Sequence, residues 1–351
     1  MKALVLSGGS GTRLRPFSYS MPKQLIPIAN KPVLEHVLEN VRDLGVTEVG
    51  MIVGGWAQQI EAVIGDGSRL GVRVTYIPQE QPLGLAHCVQ LARPFLGDDD
   101  FVMYLGDNML PDGVAGIAEE FATHRPDAHV VVHKVPDPRA FGVVELDSEG
   151  RVTRLVEKPR EPRSDLALIG VYFFTAAVHR AVRAIRPSAR GELEITDALQ
   201  WMLTHGGAIR ASEYDGYWKD TGRAEDVLEC NRRLLEQLRP GLVGEVDRRT
   251  EIDGRVVVEE GARVVRSRIE GPTIIGAGSV VEDSHVGPGT SVGRGCVLRD
   301  TRIAESIVLD GASITSVPDL YGSLIGRNAV VGASARHRLV VGDHTRIEVA
   351  A

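Results

Sequence analysis

The 351-residue chain has few cysteines, no apolar run of membrane-spanning length and no surplus of positive charge, and each shortage removes a class of function. Cys88, Cys230 and Cys296 lie far apart, without the close spacing of a metal or redox motif, so reduced, buried thiols and a cytoplasmic setting are expected. The N-terminus offers one lysine and an apolar run too short for a signal-peptide core, and nothing later approaches the length of a membrane helix; a soluble protein without membrane partners is expected. A formal net charge of −7 argues against a nucleic-acid surface, because phosphate backbones select basic faces. No Ser-His-Asp or Cys-His arrangement stands out. An anionic partner must therefore be small and locally bound.

What the chain does have is the stretch Lys2–Lys23, in which an apolar strand runs into the loop Gly8-Gly9-Ser10-Gly11 and then meets Arg13, Arg15, Pro22 and Lys23. Gly8, Gly9 and Gly11 can take φ > 0 and carry no Cβ, so successive backbone N–H groups can converge on phosphate oxygens. Arg13 adds a planar donor fork, and Lys23 a second cation where a leaving pyrophosphate needs neutralising. The loop is not a P-loop, because no Gly-Lys-Ser/Thr follows at the required spacing. It is not a dinucleotide fingerprint either: counting from Gly9 and Gly11, the sixth position is Leu14, and no acidic residue closes a second strand about twenty residues on.

Apolar patterning predicts strands at Ala3–Leu6, Val49–Val53, Val72–Ile77 and Phe101–Leu105, alternating with helices at Val33–Leu44, Ala57–Ile64, Gly84–Pro94 and Val114–His124. That alternation implies an α/β domain with a parallel sheet wound on both faces, whose ligands bind beyond the carboxyl ends of the strands. Closer strands follow at His129–Lys134, Val143–Leu146, Val152–Glu157 and Ala167–Phe174, read as a mixed-sheet insertion, before helices resume at Ala177–Ile185, Thr196–Thr204 and Arg223–Leu238. Past Pro240 the texture changes: Ile274, Val280, Val286, Val292 and Leu298 recur every six residues, and Ile303, Val308, Ile314, Ile325 and Val331 extend the pattern. A six-residue period is that of hexapeptide coils, whose stacking buries the recurring residue. Ser316–Tyr321 reads as a loop interrupting the coils, and Arg336–Glu348 is too irregular to assign.

Leu6-Ser7-Gly8-Gly9-Ser10-Gly11-Thr12-Arg13-Leu14, with Pro16 and Pro22-Lys23, resembles the signature of the sugar-1-phosphate nucleotidyltransferases, within them most closely the glucose-1-phosphate thymidylyltransferase family in its longer form. Asp107, Glu157-Lys158-Pro159, the run Ala189–Asp197 and Trp218–Gly222 follow in the order that family shows. The resemblance implies a doubly wound, mixed but mainly parallel sheet in a nucleotidyltransferase domain over residues 1–238, then a left-handed parallel β-helix over 239–351. It implies attack by the sugar-1-phosphate on the α-phosphorus of a nucleoside triphosphate, dTTP in the first instance, with glucose-1-phosphate as acceptor and Mg²⁺ as cofactor. Arg13, Lys23, Asp107, Lys158 and Asp220 are then the catalytic set. Leu6, Gly8, Gly9, Gly11, Thr12, Arg13, Gln79, Pro82, Gly84 and Asp107 bind the nucleotide. Gly142, Glu157, Lys158, Val171, Tyr172 and Arg190 bind the sugar phosphate. Asp107 and Asp220, each following an apolar strand, are the expected metal ligands, since hard oxygens suit Mg²⁺. Two departures touch specificity: Phe141 stands where many relatives have tyrosine, and Leu83 where an acidic residue is common. A uridylyl- or other nucleotidyltransferase, and a bifunctional enzyme with His285 serving acyl transfer in the coils, stay open as alternatives. A homo-oligomer is expected.

Overall fold

The computed structural model describes residues 1–333 and 344–347, so most of the unassigned stretch Arg336–Glu348 lies outside the described residues. Packing divides the chain into two compact units: Met1–Ser10 with Val33–Asp220, and Gly11–Pro32 with Thr221–Ala351. The expected boundary at 238–239 marks a change of sequence texture; the packing units divide the chain elsewhere.

The first unit is organised by one nine-stranded sheet. Its parallel part consists of β1 (Lys2–Ser7), β2 (Glu48–Val53), β3 (Arg73–Pro78) and β4 (Phe101–Leu105), connected through α1 (Val33–Asp43), α2 (Ala57–Ile64) and α3 (Leu85–Leu91). Ala3–Leu6 and Phe101–Tyr104 are continuously buried, as strands covered on both faces must be. The later elements of the unit are β5 (Asn108–Met109), α4 (Ala115–His124), β6 (Ala128–Lys134), β7 (Gly142–Leu146), β8 (Val152–Glu157), β9 (Leu166–Phe174), α5 (Val178–Ala184), α6 (Ile195–Thr204), β10 (Ile209–Glu213) and β11 (Lys219–Asp220). The main path runs β8-β7-β9-β4-β1-β2-β3, with β6 pairing β9 and β10; β9 lies antiparallel to β4, while β5 and β11 form a separate ladder. The expected mixed-sheet insertion is therefore an extension of the parallel sheet, joined to it through β9. The chain goes from β1 outward to β2 and β3, then returns to β1's other side as β4. That reversal of strand order opens a crevice at the carboxyl ends of β1 and β4.

One helix expectation needed adjusting. The helix expected over Gly84–Pro94 stops at Leu91, and a separate turn, Arg93–Leu96, begins with Pro94 in its first positions, where a missing N–H costs nothing. The two-residue strands β5 and β11 and the short β10 have too few residues for a visible period.

In the second unit, α7 (Ala224–Leu235) precedes a stack of strands of at most three residues arranged in three parallel sheets, consistent with the expected left-handed β-helix. Within each sheet one apolar column faces the core: Val258, Ile275, Val292, Val308 and Ile325; Val264, Val281, Leu298, Ile314 and Val331; Ile252, Ile269, Val286, Ile303 and Leu320. Val258 pairs with Ile275 and Ile275 with Val292, a coil of seventeen residues. A strict six-residue repeat overshoots this by one per turn. It therefore selected Ile274 and Val280, whose neighbours Ile275 and Val281 are the fully buried core positions. Val286, Val292 and Leu298 are the core residues the repeat identified correctly. Ser316–Tyr321 does not interrupt the stack: Leu320–Tyr321 is a strand below Ile303–Ala304, reached by a corner at residues 316–319.

Candidate active site

The first unit gathers its polar groups beyond β1 and β4. Leu6 is paired with Leu105, and the Gly106 N–H donates to the Leu6 carbonyl at 2.9 Å. A Cβ on Gly106 would lie 2.7 Å from Ser7 Oγ, so only glycine lets the strands stay this close where the chain leaves the sheet. Gly8-Gly9 and Asp107 consequently emerge from neighbouring strand ends. Asp107, only 9% exposed, occupies the turn between β4 and β5, where the Asn108 side-chain amide donates to its Oδ1 at 3.3 Å. β11 then runs antiparallel to β5 and puts Asp220 opposite Asn108. Trp218 Nε1 donates to Asn108 Oδ1 at 2.7 Å, pinning the two segments together. The two acidic residues expected from distant strands are thus brought one register step apart. Asn108 and Trp218 make that juxtaposition, and sequence reasoning gave neither a role.

Gln79 is buried beside the same loop. Its Oε1 lies 3.2 Å from where a Gly8 Cβ would be, which gives Gly8 a steric reason distinct from its conformation; of the loop glycines only Gly11 has positive φ (61°). The Gln79 amide nitrogen donates to Nδ1 of His87 at 3.0 Å, one helical turn into α3. His87 therefore orients Gln79, a partnership without a sequence signal. Gly84 (φ 102°) packs closely against Leu193. A Cβ there would overlap the Leu193 carbonyl and lie 2.7 Å from the Leu193 nitrogen. Backbone bonds clamp this contact: Leu193 N–H donates to Leu83 O at 2.7 Å and Ala86 N–H to Leu193 O at 3.0 Å. The glycine admits the 188–194 segment, while Pro82 and Leu83 remain exposed.

The acceptor-side residues form a second cluster. β8 ends at Glu157, and Lys158 adopts φ +43°, a left-handed conformation unusual for a residue before proline. The turn lets adjacent side chains serve one place: Lys158 Nζ is 3.6 Å from Glu157 Oε1. Thr196 Oγ1 donates to Glu157 Oε2 at 2.7 Å, and Arg190 donates to Oε1 at 3.3 Å. A Cβ on Gly142 would lie 2.6 Å from Thr196 Oγ1 and 3.2 Å from Glu157 Oε2, so this glycine makes room for the carboxylate. Arg190 is itself held by Glu194 at 2.7 Å and Glu192 at 3.3 Å. Burial, with Glu194 and Glu157 nearby, pushes the Asp197 carboxyl above its ordinary range. Val171 and Tyr172 have buried side chains; they follow a bulge at Gly170 (φ 82°), leaving their backbone as what they can offer a ligand.

The remaining expected residues belong to the second unit. Gly11 caps a short 3-10 turn, Thr12–Leu14, and packs against Lys23 and Ser18, its missing Cβ leaving 3.3 Å to the Cβ atoms of both. Pro22 is extended and Lys23 opens the turn Lys23–Leu25. Arg15, grouped with the other cations by sequence, instead lies 5.0 Å over the Tyr19 ring.

A family described as nucleotidyl transferase matches residues 2–237. The chain belongs to that nucleotidyl transferase family. It is 54% identical, over 99% of both chains, to a glucose-1-phosphate thymidylyltransferase of Streptomyces griseus. It is 44% identical to a low-salt glycan biosynthesis nucleotidyltransferase of Haloferax volcanii, over 99% of this chain and 100% of that one. A crystal structure from Bacillus anthracis, described as a glucose-1-phosphate thymidylyltransferase in complex with sucrose, matches with a TM-score of 0.63 and 33% identity, covering 69% of this chain and 97% of that one. Nucleotidyltransferases of this family generally depend on a divalent metal. Among the described residues no group of three or more His, Cys, Asp or Glu is placed to hold an ion. The Asp107 and Asp220 pair fits the requirement nonetheless, since two hard oxygen donors leave positions for water and substrate phosphates. Among the described residues no helix is long and apolar enough to cross a membrane.

Proposed function

We propose that this nucleotidyltransferase transfers a thymidylyl group from dTTP to glucose-1-phosphate, giving dTDP-glucose and pyrophosphate. The observation that carries the reading is the juxtaposition at the ends of β1 and β4, where a glycine loop and Asp107 leave adjacent strands and Asp220 lies opposite Asn108. End-to-end similarity to a protein named for this reaction supports the choice of substrates.

A sugar-phosphate oxygen attacks the α-phosphorus of dTTP; the new P–O bond forms as the bond to the departing pyrophosphate breaks. The nucleophile is already anionic near neutral pH, so catalysis rests on positioning and charge neutralisation rather than on a strong base. Loop amides at Leu6, Gly8, Gly9, Gly11 and Thr12, with Arg13 and Lys23, hold the triphosphate. Gln79, kept in place by His87, offers donor and acceptor to the pyrimidine imide edge, beside Pro82 and Gly84. Glu157 accepts from sugar hydroxyls, Gly142 and the Val171-Tyr172 backbone border the sugar, and Lys158 and Arg190 meet its phosphate. Mg²⁺ held by Asp107 and Asp220 supplies, when bound, Lewis-acid neutralisation of phosphate charge. Small-molecule substrates, a homo-oligomeric state and a cytoplasmic setting complete the reading; the three cysteines are all buried, and none forms a disulfide among the described residues.

Thymine and uracil differ by a methyl group worth about 1–3 kcal/mol in a fitted pocket, so base choice is the weakest element. An acyl-transfer activity draws no support from His285, which stacks in a column with Arg268 and Arg302 and pairs with Glu270 at 3.2 Å. Pyrophosphate release from a panel of triphosphates with glucose-1-phosphate and Mg²⁺ tests the proposal. dTTP should give the highest kcat/KM; equal or better use of UTP would replace the assigned nucleotide.

A further inference from the structure

Segment Gly11–Pro32, which carries Arg13 and Lys23, packs with α7 and the β-helix in one unit. Its anchor is a hairpin, Pro27–Ile28 against Lys31–Pro32, with Ala29 (φ 49°) and Asn30 (φ 61°) at the tip. Two successive left-handed residues make the tightest hairpin turn, a conformation asparagine tolerates and alanine resists. Asn231 on α7 meets the strained residue. It is wholly buried, and its Oδ1 accepts from the Ala29 N–H at 2.9 Å and from Ser291 Oγ at 2.5 Å, while its Nδ2 donates to the Gly289 carbonyl at 3.1 Å. Asn30 Nδ2 donates to the Val292 carbonyl at 2.7 Å. One side of a coil, Gly289–Val292, is thereby tied to the hairpin by the buried Asn231 amide and by Asn30. The same segment is also touched near the end of the stack, where Arg327 donates to the Ser20 carbonyl at 3.1 Å. The β-helix is a brace for this segment, beyond being an appended module.

We infer that Asn231 is a positioning residue: it fixes the Ala29-Asn30 turn to the β-helix and so sets where Arg13 and Lys23 stand. The inference rests on the reading of those two cations as triphosphate ligands. Asn231→Ala leaves the Ala29 N–H and the Gly289 carbonyl without their partner. In pyrophosphate-release assays this variant should lose about tenfold or more in kcat/KM for the triphosphate, with the sugar-phosphate KM within about twofold of wild type. Hydrogen exchange should accelerate in peptides from residues 11–32 and not throughout the sheet unit. Ala29→Gly, added to Asn231→Ala, relieves the turn strain and should restore part of the rate; a residue needed only for bulk stability would show no such selective rescue. Unchanged kinetics with unchanged exchange overturns the inference. So does an equal loss toward both substrates with faster exchange everywhere. Where Asn231→Ala does not fold, Asn30→Ala decides: a triphosphate-selective loss of about threefold supports the brace, and wild-type kinetics removes it. A wild-type enzyme that releases no pyrophosphate sinks the proposed function instead, and the exchange measurement still settles whether Asn231 orders the segment.

Discussion

The sheet unit and the β-helix handle polar groups in opposite ways. In the coils each turn repeats the last, and charges are consumed by their neighbours above and below: Arg266 pairs with Asp283 at 2.7 Å and Arg299 with Glu282 at 3.1 Å, both on the exposed surface. Left-handed Arg266, Asp283, Asp300 and Ser316 mark successive corners of the same edge. Regular stacking thus leaves few groups to converge on a ligand. In the sheet unit the strands stop at different points, and glycines at 84, 106, 142 and 170 stand where a neighbouring atom fills the space of a Cβ. Carboxylates and cations gather there, among them Asp107 and the cluster of Glu157, Lys158 and Arg190. The proposed chemistry falls where the fold is irregular, and the proposed brace where it repeats.

The sharpest way to break that comparison is to remove charge from the irregular end. Asp107→Ala and Asp220→Ala should each lower turnover by about three orders of magnitude, near 4 kcal/mol of transition-state stabilisation, with melting temperature nearly unchanged. Steady-state pyrophosphate release and thermal melts check both arms. Wild-type rates in chelator-treated buffer would remove the metal role from the pair.

Acid should separate the two regions next. Burial lowers His129 and His179, both in the sheet unit, to a pKa of about 4. Both are neutral in the fold and would protonate near 6.5 when unfolded, so their stabilisation is complete above 6.5 and is lost as pH falls from 6.5 toward 4, at most about 3 kcal/mol each. In the β-helix the groups shifted within the acid range are carboxylates: the Thr250 hydroxyl holds down Asp247, the Arg266 guanidinium Asp283, and His285 with Arg268 Glu270. Depressed carboxylates keep their stabilisation until pH falls below their ordinary range. All three tryptophans, Trp56, Trp201 and Trp218, lie in the sheet unit. Their fluorescence should therefore report unfolding at a higher pH than exchange in the coils does. Coincident acid transitions would refute this order.

Much of this architecture was legible in the chain. Ala57–Ile64, Phe101–Leu105 and Val152–Glu157 have the bounds their periodicity predicts, because apolar spacing alone determines such elements. The candidates Asp107, Glu157-Lys158 and Asp220 were legible through the family resemblance, with strand ends adding support for Asp107 and Asp220. What could not be found were their holders. His87 meets Gln79 only through the turn into α3, Thr196 behind Glu157 and Asn108 with Trp218 are contacts across the fold, and a hydrogen bond such as Ala29 to Asn231 joins residues 202 apart. Gly84 is expected at the nucleotide, and Leu193 lies where its Cβ would be, since a sequence shows that a Cβ is missing but not which atom stands in its place.

The coil register offers a finer test of regularity. With a seventeen-residue turn, Val281 points into the core and Val280 does not. Val281→Ala should cost about 2 kcal/mol, and Val280→Ala a few tenths. Chemical denaturation followed through coil peptides measures the difference; equal costs would restore the strict six-residue phase.

The smallest effect concerns Lys158, where irregular backbone and charge coincide. Its left-handed φ of 43° places the ammonium 3.6 Å from Glu157 Oε1, on a side chain about two-fifths exposed. Such an exposed pair contributes little to stability, so its value must lie in what it binds. Lys158→Ala should raise the KM for the sugar phosphate about tenfold, near 1.4 kcal/mol, while leaving the triphosphate KM within about twofold and the melting temperature unmoved. Lys158→Gly relaxes the left-handed turn as well as removing the charge, and so should match the alanine variant in KM while melting slightly higher. If both variants bind the sugar phosphate as wild type does, the turn at the end of β8 is a structural device alone, and the contrast between an irregular, ligand-facing end and a self-neutralising stack loses its clearest single residue.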